Sequence, residues 1–261
     1  MTSLSTSSIA LAVIFGGTFL GMFVRSRLPE QHLSRDTKDV VMLGTGLIGT
    51  IAALVLGLLI STAHETYEAQ RTQVKQVIAS VVAMDRALAL YGPETGSIRN
   101  LLRQNVGILA DQIWLEHGAV SGKVDPFVES ASVESLYAEL LKLSPRDEAH
   151  RSLQARAIEA ANDAGKARLL LFATAGGSIP MPFLVILISW LTIIFASFSL
   201  FADNNATTIT AFFVFALSAA AALFLILELS QPFTGLMQIS SEPLRNALSP
   251  LGSYSGSARS D

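Results

Sequence analysis

The chain contains no cysteine. That excludes disulfides, thiolate metal sites and cysteine nucleophiles, while leaving the compartment open. Charge is scarce as well: Asp, Glu, Lys and Arg make up 15% of 261 residues, poor for a soluble chain of this size. Neither sign dominates. The formal net charge is −3, so there is no basic footprint for nucleic acid. No histidine sits inside an apolar run, which removes the common haem ligand, and His32, His64, His117 and His150 share no metal-binding spacing. Walker loops and nucleophile elbows are missing. The sequence points away from an enzyme and calls for no cofactor.

What the chain does have is apolar sequence. Hydrophobic residues are 51% of the total and gather in four windows, at about 8–24, 40–63, 179–201 and 207–229. At ~1.5 Å per residue, about 20 residues cross the ~30 Å hydrocarbon layer. The first window does not read as a cleaved leader. Its start, "MTSLSTSSIA", lacks a basic residue, and "FVRSRLPE" lacks a small-x-small cleavage site. The expected fold class is an all-α membrane protein, with four transmembrane helices and a helical-bundle extramembrane domain between spans two and three. The expected organisation is a transmembrane hairpin over 1–63, the helical domain over 64–178, a second hairpin over 179–229 and a tail over 230–261. Ser241 and Pro243 are expected to open a short helix in that tail, with Leu244, Leu248 and Leu251 on one side. Its end, "GSYSGSARSD", has a disordered composition.

The polar middle reads as all helix. Tyr67, Gln70, Val74, Val77, Val81, Met84, Leu88 and Tyr91 alternate at three- and four-residue spacing, a heptad stripe that ends at "YGPETG". Ile98, Leu102, Val106, Leu109 and Ile113 mark a second helix over about 97–116. Val133, Leu136, Leu140 and Leu143 mark a third over about 132–143. "SPRD" is expected to open a fourth, with Ser144 as the cap. Its seam runs through Leu153, Ala157, Ala160, Ala164, Ala167 and Leu171. These stripes read as the core of a helical bundle.

Within the spans, small residues recur every four positions: Gly17 and Gly21, then Gly49, Ala53, Gly57 and Ser61, then Ser218 and Ala222. Lipid tails offer helices no hydrophobic reason to associate, so close backbone approach must supply the attraction. Such faces serve packing within the chain or an interface between subunits. "GTGLIGT", 44–50, matches a dinucleotide-binding fingerprint in letters only. The pattern after it stays helical and no second strand appears, so its glycines read as packing notches.

The runs "LVLGLLISTAHETYEAQR", "MDRALALYGPE", "SIPMPFLVILISWL" and "FLILELSQPFTGLMQISSEPLRNAL" resemble a bacterial bestrophin-like membrane family, a domain of unknown function. The last run is the most specific, with Glu228, Leu229, Pro232, Phe233 and Gly235 as its core. The resemblance implies a homo-oligomer with four spans and a cytosolic helical region, like the anion-channel bestrophins. The chain departs from them at an acidic calcium clasp: beyond Pro232 its only acids are Glu242 and Asp261.

Glu228 closes the fourth apolar window, on the same side as His64. A carboxylate at a helix C-terminus opposes the helix dipole and calls for a partner. Candidates are His64, Arg71 and Arg245; the alternative role is a ring of carboxylates at a pore mouth. Two function classes stay open. One is a homo-oligomeric ion channel or pore in the inner membrane; the other is a non-conducting scaffold or sensor whose helical domain binds a partner protein. Arg25 and Arg27 after span one favour an outside N-terminus, while Arg71, Lys75, Lys166 and Arg168 favour a cytosolic domain, the orientation expected here.

Overall fold

A computed structural model describes residues 3–29, 34–115, 130–174 and 179–247. Every regular element among the described residues is a helix, with no strand among them. The eight helices are α1 (Ser3–Arg27), α2 (Arg35–Tyr91), α3 (Gly96–Leu115), α4 (Ser130–Lys142), α5 (Glu148–Thr174), α6 (Met181–Phe201), α7 (Ala206–Leu229) and α8 (Glu242–Asn246). Helices α1, α2, α6 and α7 are long and apolar enough to cross a membrane. Helix α1 extends past its apolar window at both ends. Helix α2 runs unbroken for 57 residues, from the second apolar window through the whole heptad stripe.

The chain divides into two compact units. The first joins Met1–Tyr67 to Ser178–Gln231. Here α1 packs on α6 and α7, around a core that includes Ala10, Ile14, Ala52, Leu184, Leu187 and Leu223. Many of the large apolar side chains of this unit face outward, Leu43, Leu54 and Leu58 among them. In water that surface would be untenable; in lipid the hydrocarbon is their solvent, and helices keep every backbone bond internal.

The second unit joins Glu68–Gly177 to Pro232–Asp261. Its core takes Val77, Val81, Met84 and Leu88 from α2, Ile98, Leu102 and Val106 from α3, Leu136 and Leu140 from α4, and Ala157, Ala160 and Ala167 from α5. The stripes marked by period alone are therefore the buried faces. Gly92, at φ 139°, takes a left-handed turn that side chains resist. Thr95 Oγ1 then donates to the carbonyls of Leu88 at 2.7 Å and Gly92 at 2.8 Å, tying off the end of α2.

Helix α5 starts later than "SPRD" suggests. Its cap is Asp147, not Ser144: Asp147 Oδ1 accepts from His150 N at 2.8 Å, and the Asp147 carbonyl takes the first helical bond from Arg151 N at 3.1 Å. Aspartate and serine cap about equally well, so the backbone path decides, and the Asp147 carboxylate also meets the positive end of the helix. The bonds from the His150 backbone and ring lower the pKa of Asp147 below the ordinary carboxylate value. Helix α7 is capped in the same way by Asn205, whose Oδ1 accepts from Thr208 N at 2.8 Å. Leu244 of α8 is buried; Leu248, Leu251 and the Ser/Gly-rich end lie outside the described residues.

Candidate functional site

Glu228 sits in the last turn of α7 and is 2% exposed. Its Oε2 accepts from Ser3 Oγ at 2.6 Å. Ser3 opens α1, and Ser7, one turn on, donates its own hydroxyl to the Ser3 carbonyl at 2.8 Å. Both serines are buried. The sequence-level problem was a carboxylate at the negative end of a helix; the fold brings the positive end of α1 against it. The positive end of α1 thus offsets the negative end of α7. The other named partners bond elsewhere as well: Arg71 reaches Glu68 at 3.1 Å and Arg245 reaches Asp111 at 2.9 Å. His64 is exposed on α2.

At the far end of α1, Arg25 donates to the Ala202 carbonyl and to Asp203 Oδ1, the latter at 3.1 Å. Between these two fastenings the glycines of α1 set the spacing. A methyl added at Gly17 would lie 2.8 Å from the Thr192 carbonyl oxygen of α6, and one at Gly21 would collide with Ser199 Oγ and the Ala196 carbonyl. Only hydrogen at those positions lets the two backbones meet.

The small residues of α2 are placed differently. A methyl at Gly49 would graze only Ile194 Cδ1, at 3.9 Å, and one at Gly57 would meet nothing. Ala53 and Ser61 are exposed, as is Ser218 on α7, whereas Ala222 is half-buried. Only 11% of the apolar stretch of α2 is buried within the chain, against 33% for α1.

In the second unit, the segment after α7 is a fastened loop. Pro232 and Phe233 are buried. The Pro232 carbonyl accepts from Ile239 N at 2.7 Å. Trp114 of α3 donates Nε1 to the Ile239 carbonyl at 2.7 Å and meets Phe233 edge-on at 5.8 Å between ring centres. Gly235, at φ 95°, makes the reversal that this loop requires.

Two pairings carry no signal in the periodic pattern. One is Ser3 with Glu228, 225 residues apart. The other is a fork between α3 and α2: Arg99 Nε reaches Asp85 Oδ1 at 2.7 Å, and Nη2 reaches Oδ2 at 3.1 Å. Asp85 is 3% exposed, beside the heptad stripe. The bonded carboxylate raises the Arg99 pKa above its usual value against the pull of burial. Among the described residues, no three His, Asp or Glu side chains gather as a metal site would require.

The model of the bestrophin-like domain matches residues 12–244. No curated protein matches the sequence. Among solved structures, the fold is similar to a bacterial bestrophin homologue from Klebsiella pneumoniae carrying a single substitution. That alignment has a TM-score of 0.68 and 15% identity, covering 96% of this chain and 99% of that one. A second substituted form of the homologue gives a TM-score of 0.64 at 17% identity, covering 96% and 97%. A structure described as a membrane protein gives 0.66 at 17% identity, covering 95% and 99%. At these identities the likeness establishes the fold.

Proposed function

The chain belongs to the bestrophin-like family, and from that membership we propose that it forms an ion-conducting homo-oligomer in a bacterial inner membrane, with its helical domain in the cytosol. The observation that carries this reading is the bare α2. Its small residues meet almost nothing within the chain, and a membrane helix has little reason to keep glycine notches that face lipid alone. On this reading Ala53, Gly57 and Ser61 seat a neighbouring copy, while Gly49 stays against Ile194 of its own chain. The adjoining outward stripe of Leu43, Leu47, Leu54 and Leu58, all strongly exposed, then turns toward the central axis. A ring of leucines is a hydrophobic constriction, which conducts when wetted and closes when dry. Glu228 serves as an anchor in this arrangement, since its burial suits a fixed hydrogen bond better than a pore mouth.

The test is ion flux into liposomes loaded with purified protein. The expected result is flux that rises when Leu54 becomes Ser, because a hydroxyl lowers the cost of wetting. Tight vesicles at high protein loading, with the wild type and the variant alike, overturn the proposal.

A second reading, a non-conducting scaffold or sensor, is favoured by a groove of about 490 Å³ in the helical domain, lined by Val81, Leu109, Tyr137 and Leu141 among others. It requires a partner whose binding is lost when exposed Leu141 becomes Glu, while flux is absent from both proteins.

A further inference from the structure

A second apolar groove lies in the first unit, with a volume of about 550 Å³. Its walls are Met42 of α2, Ile194, Phe198 and Phe201 of α6, and Phe212 and Phe215 of α7, with Ala202 at its end. Its lining is almost wholly carbon, as an acyl chain requires. Lipid tails gain no hydrophobic energy by leaving one another for such a groove, so any preference must come from the headgroup.

The headgroup end is marked by charge. Arg35, Lys38 and Met42 stand at i, i+3 and i+7, on one stripe of α2. The next members, Thr45 and Gly49, fix which way the stripe faces: Thr45 is buried, and a methyl at Gly49 would lie 3.9 Å from Ile194 Cδ1. The stripe that walls the groove therefore carries two cations in the one or two turns above it. Among the described residues neither cation makes an ion pair. Of the nearby acids, Asp36 lies off the stripe, while Asp39 stands at i+4 from Arg35 beside it, without an ion pair to it among the described residues. Asp203, beyond the groove's end, is taken by Arg25. Ala202 itself is held by Arg25, which fixes the groove's mouth at the charged boundary of the span.

We propose that this groove is a binding site for an anionic phospholipid of the surrounding bilayer, its acyl chain among the phenylalanines and its phosphate on Arg35 and Lys38. The inference does not depend on whether the protein conducts ions. Each basic residue near a membrane surface contributes about fivefold in affinity for anionic lipid, so the pair supplies about 25-fold.

The experiment titrates the full chain, stripped of lipid in detergent, with dioleoylphosphatidylglycerol or dioleoylphosphatidylcholine and follows bound lipid by native mass spectrometry. The wild type is expected to prefer the anionic lipid by at least tenfold. The double variant Arg35→Gln/Lys38→Gln is expected to fall to near parity, and Asp36→Asn/Asp39→Asn to keep or raise the preference. Met42→Trp, which fills the groove without touching charge, is expected to lose the tightly held lipid. Equal affinity for the two lipids in the wild type, or a preference that survives removal of both cations, overturns the proposal. So does a covalent dimer formed through Phe198→Cys on oxidation, which would put a second copy over the groove; the cysteine-free chain gives that assay no background.

Discussion

At the scale of single residues, the fold rests on two carboxylates treated in opposite ways. Asp85 is paired with a guanidinium, Glu228 with a hydroxyl. Arg99→Met would leave Asp85 buried without its countercharge, whereas Asp85→Asn leaves Arg99 a neutral acceptor and some access to water. Thermal unfolding should show the first variant costing about 3 kcal/mol and the second about 1 kcal/mol. The reverse order would mean that the fork is not the dominant contact there. For Glu228, Gln keeps an acceptor for Ser3 and Ala does not, so Glu228→Gln should cost less than Glu228→Ala by about 1–2 kcal/mol. Asp147 adds a dependence on pH. Its folded pKa is lowered, so its stabilising effect is present above about pH 4, the ordinary carboxylate value. The effect is lost as pH falls through the lowered folded value. The difference in melting temperature between wild type and Asp147→Ala should shrink in that acid range, and a constant gap down to full protonation would contradict the assignment.

At the scale of helices, glycine position separates two kinds of packing. Gly21→Val drives a side chain into the backbone of α6, a collision that cannot relax without parting α1 from α6, and should cost about 3 kcal/mol or more. Gly57→Val meets nothing inside the chain and should leave the fold intact. If α2 seats a second copy, the same change should lower the oligomeric state seen in detergent. The same scale shows what the sequence made legible. Burial of Val77, Val81, Met84 and Leu88 followed from spacing, because a helix exposes its period to anyone reading along it. The position of Ser3 against Glu228 did not, because a bond between residues 225 apart depends on the packing of α1 beside α7 and on no local pattern. The Asp85–Arg99 fork is intermediate. An acid beside a buried stripe demands a partner, but nothing in the letters chooses Arg99 over Arg103. The cap at Asp147 was misread as Ser144 for a narrower reason: both residues have capping chemistry, and only backbone geometry decides between them.

At the scale of the molecule, the segment after the last apolar helix belongs to the second unit. Phe233, Ile239 and Leu244 are buried there, against Trp114 and the helical core. Phe233→Ala should cost about 3 kcal/mol, read as a lower midpoint in the unfolding of that unit, since it deletes a buried ring and its edge contact with Trp114. An unchanged midpoint would mean that the loop is not part of the cooperative core. This has a practical bearing on how the protein can be handled. A fluorescent or enzymatic reporter spliced in at Ser230, where hydropathy alone would place the boundary, amputates part of the domain's interior and would report on a damaged molecule. Grafted after Ala247, the same reporter leaves the Trp114 clasp whole, and the compartment in which it lights up gives the sidedness of the native chain.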